Sequence, residues 1–287
     1  MTPAENGTLI GPTIRRHRLG AELRKLREAG GYRLEDVAAK LDVAASTLSR
    51  IETGKAPART SYVHAMLDFY EVNDSRQRQY LADLAREGQR KGWWAQYDDV
   101  LPAGAGVFLG LESAAARICT FAVQTVPALL QASGYAEAVI RAARPGFTGE
   151  QVQDLAAVTM RRQELSRDHC KLHAVIDESA LLRTVGSADV MARQLDHLAG
   201  AMTSPDVTIQ VLRMTAPAQV LCPGFTIMGF AHQADADVAS RNENEEHVTV
   251  VSNGEELARL RRTFAELSRH AESAASSARV IGELRKR

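Results

Sequence analysis

The pattern of apolar and polar positions opens without rhythm and then becomes helical. Residues 1–13 hold Gly, Pro, Thr and Asn with no apolar period, and read as a disordered lead. Leu19, Leu23 and Leu26 then recur at i, i+4 and i+7, one face of a helix that Gly30-Gly31 stops. A second short helix is predicted from Leu34 to about Leu41, turning Leu34, Val37, Ala38 and Leu41 inward. A third, from about Ala45 to Thr53, buries Leu48 and Ile51 and ends at Gly54. After a loop containing Pro57, Thr60 or Ser61 is placed to cap a fourth helix through Tyr70, and Asp74 a fifth from Ser75 to about Lys91.

Gly92 interrupts this regularity, and the only two tryptophans, Trp93 and Trp94, follow it. Beyond them Glu112–Phe121, Gly134–Ala143, Gln151–Asp168, Ala188–Met202 and Glu255–Ser268 read as helices. Lys171–Ile176, Val207–Met214 and Phe225–Phe230 read as strands, rich in β-branched or aromatic residues between turn formers, and Val248–Val251 is a weaker candidate. The Ala/Ser-rich run Glu272–Ser277 begins a tail. No internal repeat is visible. The prediction is a multidomain chain: an all-α five-helix bundle over 14–91, an α+β domain over 92–270, and a helical or disordered tail over 271–287.

Within the bundle, the second and third helices satisfy the demands of a helix-turn-helix. The first helix of such a motif needs a small residue where the second crosses it. The turn needs a residue that accepts a left-handed backbone, and the reading helix needs two apolar anchors at i, i+3. Ala38, Asp42, then Val43, and finally Leu48 and Ile51 stand at the required spacing. Arg27 and Glu52 are placed to form an ion pair across the bundle, worth about 1.5–3 kcal/mol before desolvation is counted against it.

The stretch LRKLREAGGYRLEDVAAKLDVAASTLSRIETGKAP resembles the Cro/C1-type, or xenobiotic-response-element-type (XRE), helix-turn-helix regulators over about residues 18–72. The resemblance implies a bundle that binds double-stranded operator DNA, with its third helix in the major groove. By position, the base-facing set it implies is Ala44, Ala45, Ser46, Ser49 and Arg50, with Arg50 suited to O6 and N7 of guanine. Arg33, Lys55 and Arg59 flank the reading helix as phosphate contacts, and Arg15, Arg16 and Arg18 are candidates for further backbone contacts. Three departures stand out. Asp42 replaces the usual turn glycine, Ala44 replaces a capping Ser or Thr at a cost of about 0.5–2 kcal/mol, and Leu34 replaces a polar residue that meets phosphate. With two alanines at the tip, readout rests on few side chains and leaves more to DNA shape.

Charge sharpens this picture. The chain has 35 basic and 35 acidic residues, yet residues 1–92 hold 16 Lys/Arg against 12 Asp/Glu. A basic module joined to an acidic one suggests that the first approaches a polyanion. No run of about 18 apolar residues and no signal-peptide core occurs, which predicts a cytoplasmic chain without a membrane span. Cys119, Cys170 and Cys222 lie far apart and read as small apolar contacts.

The second half carries GWWAQYDDV, LESAAARICTF, VPALLQASGYAEAVI, MRRQELSR, HAVIDESALLRTVGS, MARQLDHLAG and VTIQVL in that order. This order resembles the C-terminal region of actinobacterial Scr1-like, antitoxin-like regulators over about residues 92–270. The resemblance implies a transcription regulator, often encoded beside a small partner protein. The polar stretch HQADADVASRNENEEH departs from it, where relatives carry a more apolar strand, so an edge strand or partner surface is expected to be altered there.

Trp93, Trp94, Tyr97 and Tyr135 line a pocket or seal an interface, packing being the commoner use of such residues. His169, Cys170, His173, Asp177 and Glu178 lie close in sequence. However, a strand over Lys171–Ile176 turns residues 170 and 173 to opposite faces, which argues against a metal site. Asp177-Glu178 reads as a helix start after a strand. With no Gly-rich phosphate loop, G-x-S-x-G or H-E-x-x-H, no catalytic residue, cofactor or metal is expected. The function predicted is a homodimeric DNA-binding regulator whose second domain dimerises and receives a signal from a partner protein or small-molecule effector. The alternative is an antitoxin-like protein that chiefly restrains a small partner and binds DNA for autoregulation.

Overall fold

The computed structural model describes residues 11–102, 104–216, 222–231, 237–244, 247–251 and 254–286. These divide into two compact units, one up to Ala95 and one from Gln96 onward. Of the expected lead, residues 1–10 lie outside the described residues.

The first unit is five helices: α1 (Pro12–Ala29), α2 (Leu34–Lys40), α3 (Ala45–Glu52), α4 (Thr60–Phe69) and α5 (Ser75–Gly88). Helix α1 begins at Pro12, inside the expected lead, because proline suits the first helical turn and Thr13 and Ile14 are buried there. Its stop at Gly30 is followed by Gly31 at φ +72°, a conformation that favours glycine. Neither Thr60 nor Ser61 caps α4: Arg59 holds the N-cap position with no side-chain bond. Asp74 does cap α5, accepting from Arg76 N–H at 2.9 Å, but the helix ends at Gly88 rather than near Lys91. Leu19, Leu23, Leu48, Val63, Met66, Leu67 and Leu81 close one core, each at most 2% exposed. Full burial of such side chains contributes about 1.5–3 kcal/mol each, so packing rather than helix propensity holds these short helices.

The second unit is a six-stranded mixed sheet with helices. Its elements are α6 (Ala105–Glu112), β1 (Arg117–Ala122), α7 (Ser133–Ala143), α8 (Gly149–Ser166), β2 (Lys171–Asp177), α9 (Glu178–Leu182) and α10 (Ala188–Ala201). These are followed by β3 (Val207–Leu212), β4 (Phe225–Gly229), β5 (Val238–Asn244), β6 (His247–Val251), α11 (Gly254–His270) and α12 (Ala274–Leu284). The sheet order is β3-β2-β1-β4-β5-β6. Strands β1, β2 and β3 are parallel, joined by helical crossovers, while β4, β5 and β6 add antiparallel. The all-α bundle followed by an α+β unit is the predicted fold class.

Two elements correct the sequence reading. The helix expected over Glu112–Phe121 is instead the end of α6 followed by strand β1, whose Ile118 and Phe121 pair with Leu172 and Val175 of β2. The Ala-rich run 114–116 suggested helix, but pairing on both sides fixes Arg117–Ala122 as a strand. The polar stretch expected as an altered edge contains β5, an interior strand between β4 and β6 with Val238, Ala239 and Ser240 buried.

One face of the sheet is closed by α11, whose Leu257, Leu260, Phe264 and Leu267 meet Phe121, Val175, Phe225 and Ile227. The β3 edge is sealed by the chain leading into α12. Val211 N–H donates to Ser277 Oγ at 2.9 Å, and Val211 O accepts from Glu272 N–H at 2.9 Å. An edge strand's free backbone groups, a template for unwanted pairing, are thus satisfied by non-strand partners at this position.

Candidate DNA-binding surface

The reading helix α3 is placed by what lies beneath it. Leu48 is fully buried and Ile51 nearly so, which turns the opposite face outward. The turn before it follows the sequence argument. Asp42 adopts φ +53°, and Val43 N–H donates to Ala38 O at 3.0 Å. Ala38 is itself 3% exposed, so no larger side chain fits there without displacement. On α1, a Cβ at Gly20 would stand 2.5 Å from the backbone oxygens of Ile51 and Glu52, so α1 and α3 are in backbone contact. Gly54, at φ +69°, closes the helix against His17.

A fork of hydrogen bonds fixes the helix axially. Arg27 Nε and Nη2 donate to the two carboxylate oxygens of Glu52 at 2.7 and 2.9 Å, and Nη1 donates to Tyr32 O at 3.0 Å. The expected cross-bundle pair is present and bidentate, the geometry that gives such pairs strength and direction. The Glu52 hydrogen bond raises the Arg27 pKa against the opposing effect of burial. Beside it, burial pushes the Tyr70 hydroxyl well above its usual range.

Ala44, Ser46, Ser49 and Arg50 are exposed on or just before α3, while Ala45 is half-buried and packs on the core. Thr47 is exposed beside them and was absent from the base-facing set. The inward spacing of Leu48 and Ile51 carried the signal for it. Ala44 has the extended N-cap conformation (φ −66°, ψ 143°) and supplies no cap bond, as its side chain dictates. Arg33, Lys55 and Arg59 are exposed. Arg33 precedes α2, where its backbone N–H donates to Asp36 Oδ2 at 3.2 Å. The loop after α3 folds back through Ala56 N–H to Arg50 O at 3.0 Å, which brings Lys55 to the end of the reading helix.

Two arginines named for DNA-backbone contacts are engaged within the bundle. Arg15 pairs with Glu87 at 3.4 Å, and Arg16 donates to the carbonyls of Gly88 and Arg90 at the end of α5. Burial lowers the Arg16 pKa. These side chains tie α1 to the end of α5.

In the second unit the His/Cys/acid residues serve separate structural ends. His169 Nε2 lies 3.1 Å from Ser113 O, and His173 Nε2 lies 2.7 Å from Gln210 Oε1. Asp177 caps α9 through Ser179 N–H at 2.9 Å, as the carboxylate pair after a strand suggested. Glu178 accepts from Met214 N–H at 2.9 Å and pairs with Arg213 at 3.3 Å. The Cys170 thiol is pushed up to about 12, first by burial and then by the nearby Glu112 carboxylate. Among the described residues, no three His, Cys, Asp or Glu converge as metal ligands. Tyr135 is fully buried, its hydroxyl accepting from Val126 N–H at 3.2 Å, and Trp93 meets Trp94 edge-on at 5.8 Å.

The geometry of α2, turn and α3 defines the first unit as a helix-turn-helix, the fold of DNA-binding regulators, and comparison with known families agrees: residues 18–80 match the family described as "Helix-turn-helix domain". Residues 106–283, more than half of the chain, match "Domain of unknown function (DUF5753)", and the chain belongs to that family. No curated protein and no solved structure matches it. Among the described residues, no helix is long and apolar enough to cross a membrane.

Proposed function

We propose that this chain is a sequence-specific transcription regulator that reads double-stranded operator DNA as a homodimer in the cytoplasm. The observation that carries the reading is the outward face of α3. Ser46, Ser49 and Arg50 stand exposed on a helix locked from below by Leu48, Ile51 and the Arg27–Glu52 fork. A preorganised helix of this kind spends little ordering entropy on entering a major groove. Arg50 is the guanine-reading residue, Ser46 and Ser49 bond to base edges, and Ala44 and Ala45 contact groove methyls. Arg33, Lys55 and Arg59 neutralise phosphates and set register.

A dimer would present two such helices about 34 Å apart, on half-sites one turn apart. Dimerisation and reception of a signal, from a small partner protein or a small molecule, fall to the second unit. Its membership of an Scr1-like, antitoxin-like branch rests on the order of its sequence motifs. No catalytic role is assigned to it.

The test is selection of bound duplexes from a random-sequence pool by the purified full chain, followed by the same selection with Arg50→Ala. A defined, two-fold symmetric site is expected for the wild type. The variant should lose preference at one base pair per half-site, by about 1–3 kcal/mol. A variant that keeps its full preference removes Arg50 from the reading, and a wild type that enriches no sequence overturns the proposal.

A further inference from the structure

Among the flanking cations, Arg59 is held from two sides. Its guanidinium carbon lies 5.7 Å from the centroid of the Tyr62 ring, within cation–π range. Tyr62 is half-buried against the core of the first unit, so the ring is a fixed platform. From the backbone side, Gln89 Nε2 donates to Ala58 O at 3.2 Å and stands 3.5 Å from Thr60 Oγ1, on either side of Arg59. Gln89 is the C-cap residue of α5. The turn that carries it is tied to α1 by Arg16, which donates to Gly88 O and Arg90 O. Ala58, the first of the two residues that Gln89 bonds, is 2% exposed.

An arginine on a free loop loses most of its rotamer freedom when it meets a phosphate. One already stacked, on a loop already bonded at both neighbours, has less to lose. Stacking on an aromatic face leaves the guanidinium edge able to pair with an anion. We propose that Tyr62 and Gln89 are positioning residues for Arg59, so that the end of α5 presets a phosphate contact. This rests on the DNA-binding reading above and adds to it the residues that act through Arg59 without touching DNA.

Because a phosphate contact carries no sequence information, the test needs no operator. Binding of a fluorescein-labelled duplex of mixed sequence is titrated by anisotropy for the full chain, with thermal melting to show that each variant is folded. Tyr62→Leu and Gln89→Ala should each weaken binding about three- to ten-fold, and Tyr62→Phe should bind like the wild type. Arg59→Ala should reduce the slope of log affinity against log salt by about 0.9. In the Arg59→Ala background, Tyr62→Leu and Gln89→Ala should have no further effect. Equal losses in both backgrounds, or no loss in either, overturn the proposal. If the wild type fails to bind the duplex, it is the DNA-binding reading itself that falls, whereas a failed cycle with normal binding removes only the positioning role.

Discussion

In the first unit Ser46, Ser49 and Arg50 of α3 face outward, while Glu52 on the same helix is buried and met by Arg27. In the second, glutamines and carboxylates turn inward and bind the chain's own backbone. Gln194, fully buried, accepts from Ala132 N–H at 2.8 Å and donates to Leu130 O at 2.7 Å. Gln131 donates to Val126 O, and Gln163 to the carbonyls of Ala128 and Gln131, each at 2.8 Å. Together these fix the irregular segment 126–132, whose backbone groups would otherwise be buried without partners. The outer face of α3 carries Ser46, Ser49 and Arg50 at the surface, whereas these glutamines of the second unit hold long-range structure. A bidentate Arg–Glu pair occurs in both, as Arg162 meets Glu112 at 2.7 and 2.9 Å beneath Phe108.

The comparison breaks most sharply at α12. Removing residues 272–287 exposes the surface covered by Val280 and Ile281 and leaves both backbone groups of Val211 unpartnered. The burial alone is worth roughly 3–6 kcal/mol, at about 1.5–3 kcal/mol per side chain. Melting of the second unit should fall steeply, and light scattering should show self-association through the opened β3 edge, with the helices of the first unit still folded. A truncated chain with unchanged melting and mass would mean that α12 seals nothing. Next in size is Glu112→Gln, which leaves the Arg162 guanidinium buried without its counter-charge, a loss of about 3–5 kcal/mol confined to the second unit. Urea unfolding followed separately by the two units' signals distinguishes a local effect from a general one.

In the first unit a smaller effect is expected at Gly20. A methyl there meets backbone rather than a yielding side chain, so Gly20→Ala should force α1 and α3 apart at a cost of about 1–3 kcal/mol. Duplex affinity should fall in parallel, because α3 loses its seat, while the second unit's melting stays put. Loss of stability with intact DNA affinity would detach the reading surface from the α1–α3 contact.

This contrast also explains what the sequence made legible. The helices of the first unit were readable because the signals are local: Leu19 and Leu23 a turn apart, Gly31 and Gly54 at their ends, Asp42 at a left-handed turn. The Arg27–Glu52 pair was readable because the helix-turn-helix spacing brings residues 25 apart to one place. Strand β1 was not, since Ala114–Ala116 favour helix and only pairing with β2 and β4 makes Arg117–Ala122 extended. Strand β5 hid behind its polar composition for the same reason. The holding of Arg59 was also out of reach, because Gln89 reaches it from 30 residues away with no motif to announce the bond.

The smallest effect tests the plain tip of the reading helix. Ala44 already has the backbone of an N-cap residue but no oxygen to offer, so the first N–H groups of α3 lack a side-chain acceptor. Ala44→Ser supplies one without disturbing the turn and should stabilise the first unit by about 0.5–2 kcal/mol. The consequence for DNA is the more telling measurement. If Ala44 stands at the tip only because the groove requires a small apolar residue there, the variant should melt higher yet bind its selected site more weakly. If affinity rises with stability instead, the missing cap is only a defect in the helix and Ala44 takes no part in recognition. The two outcomes separate a unit that gives up stability at its surface to meet a partner from one that does not.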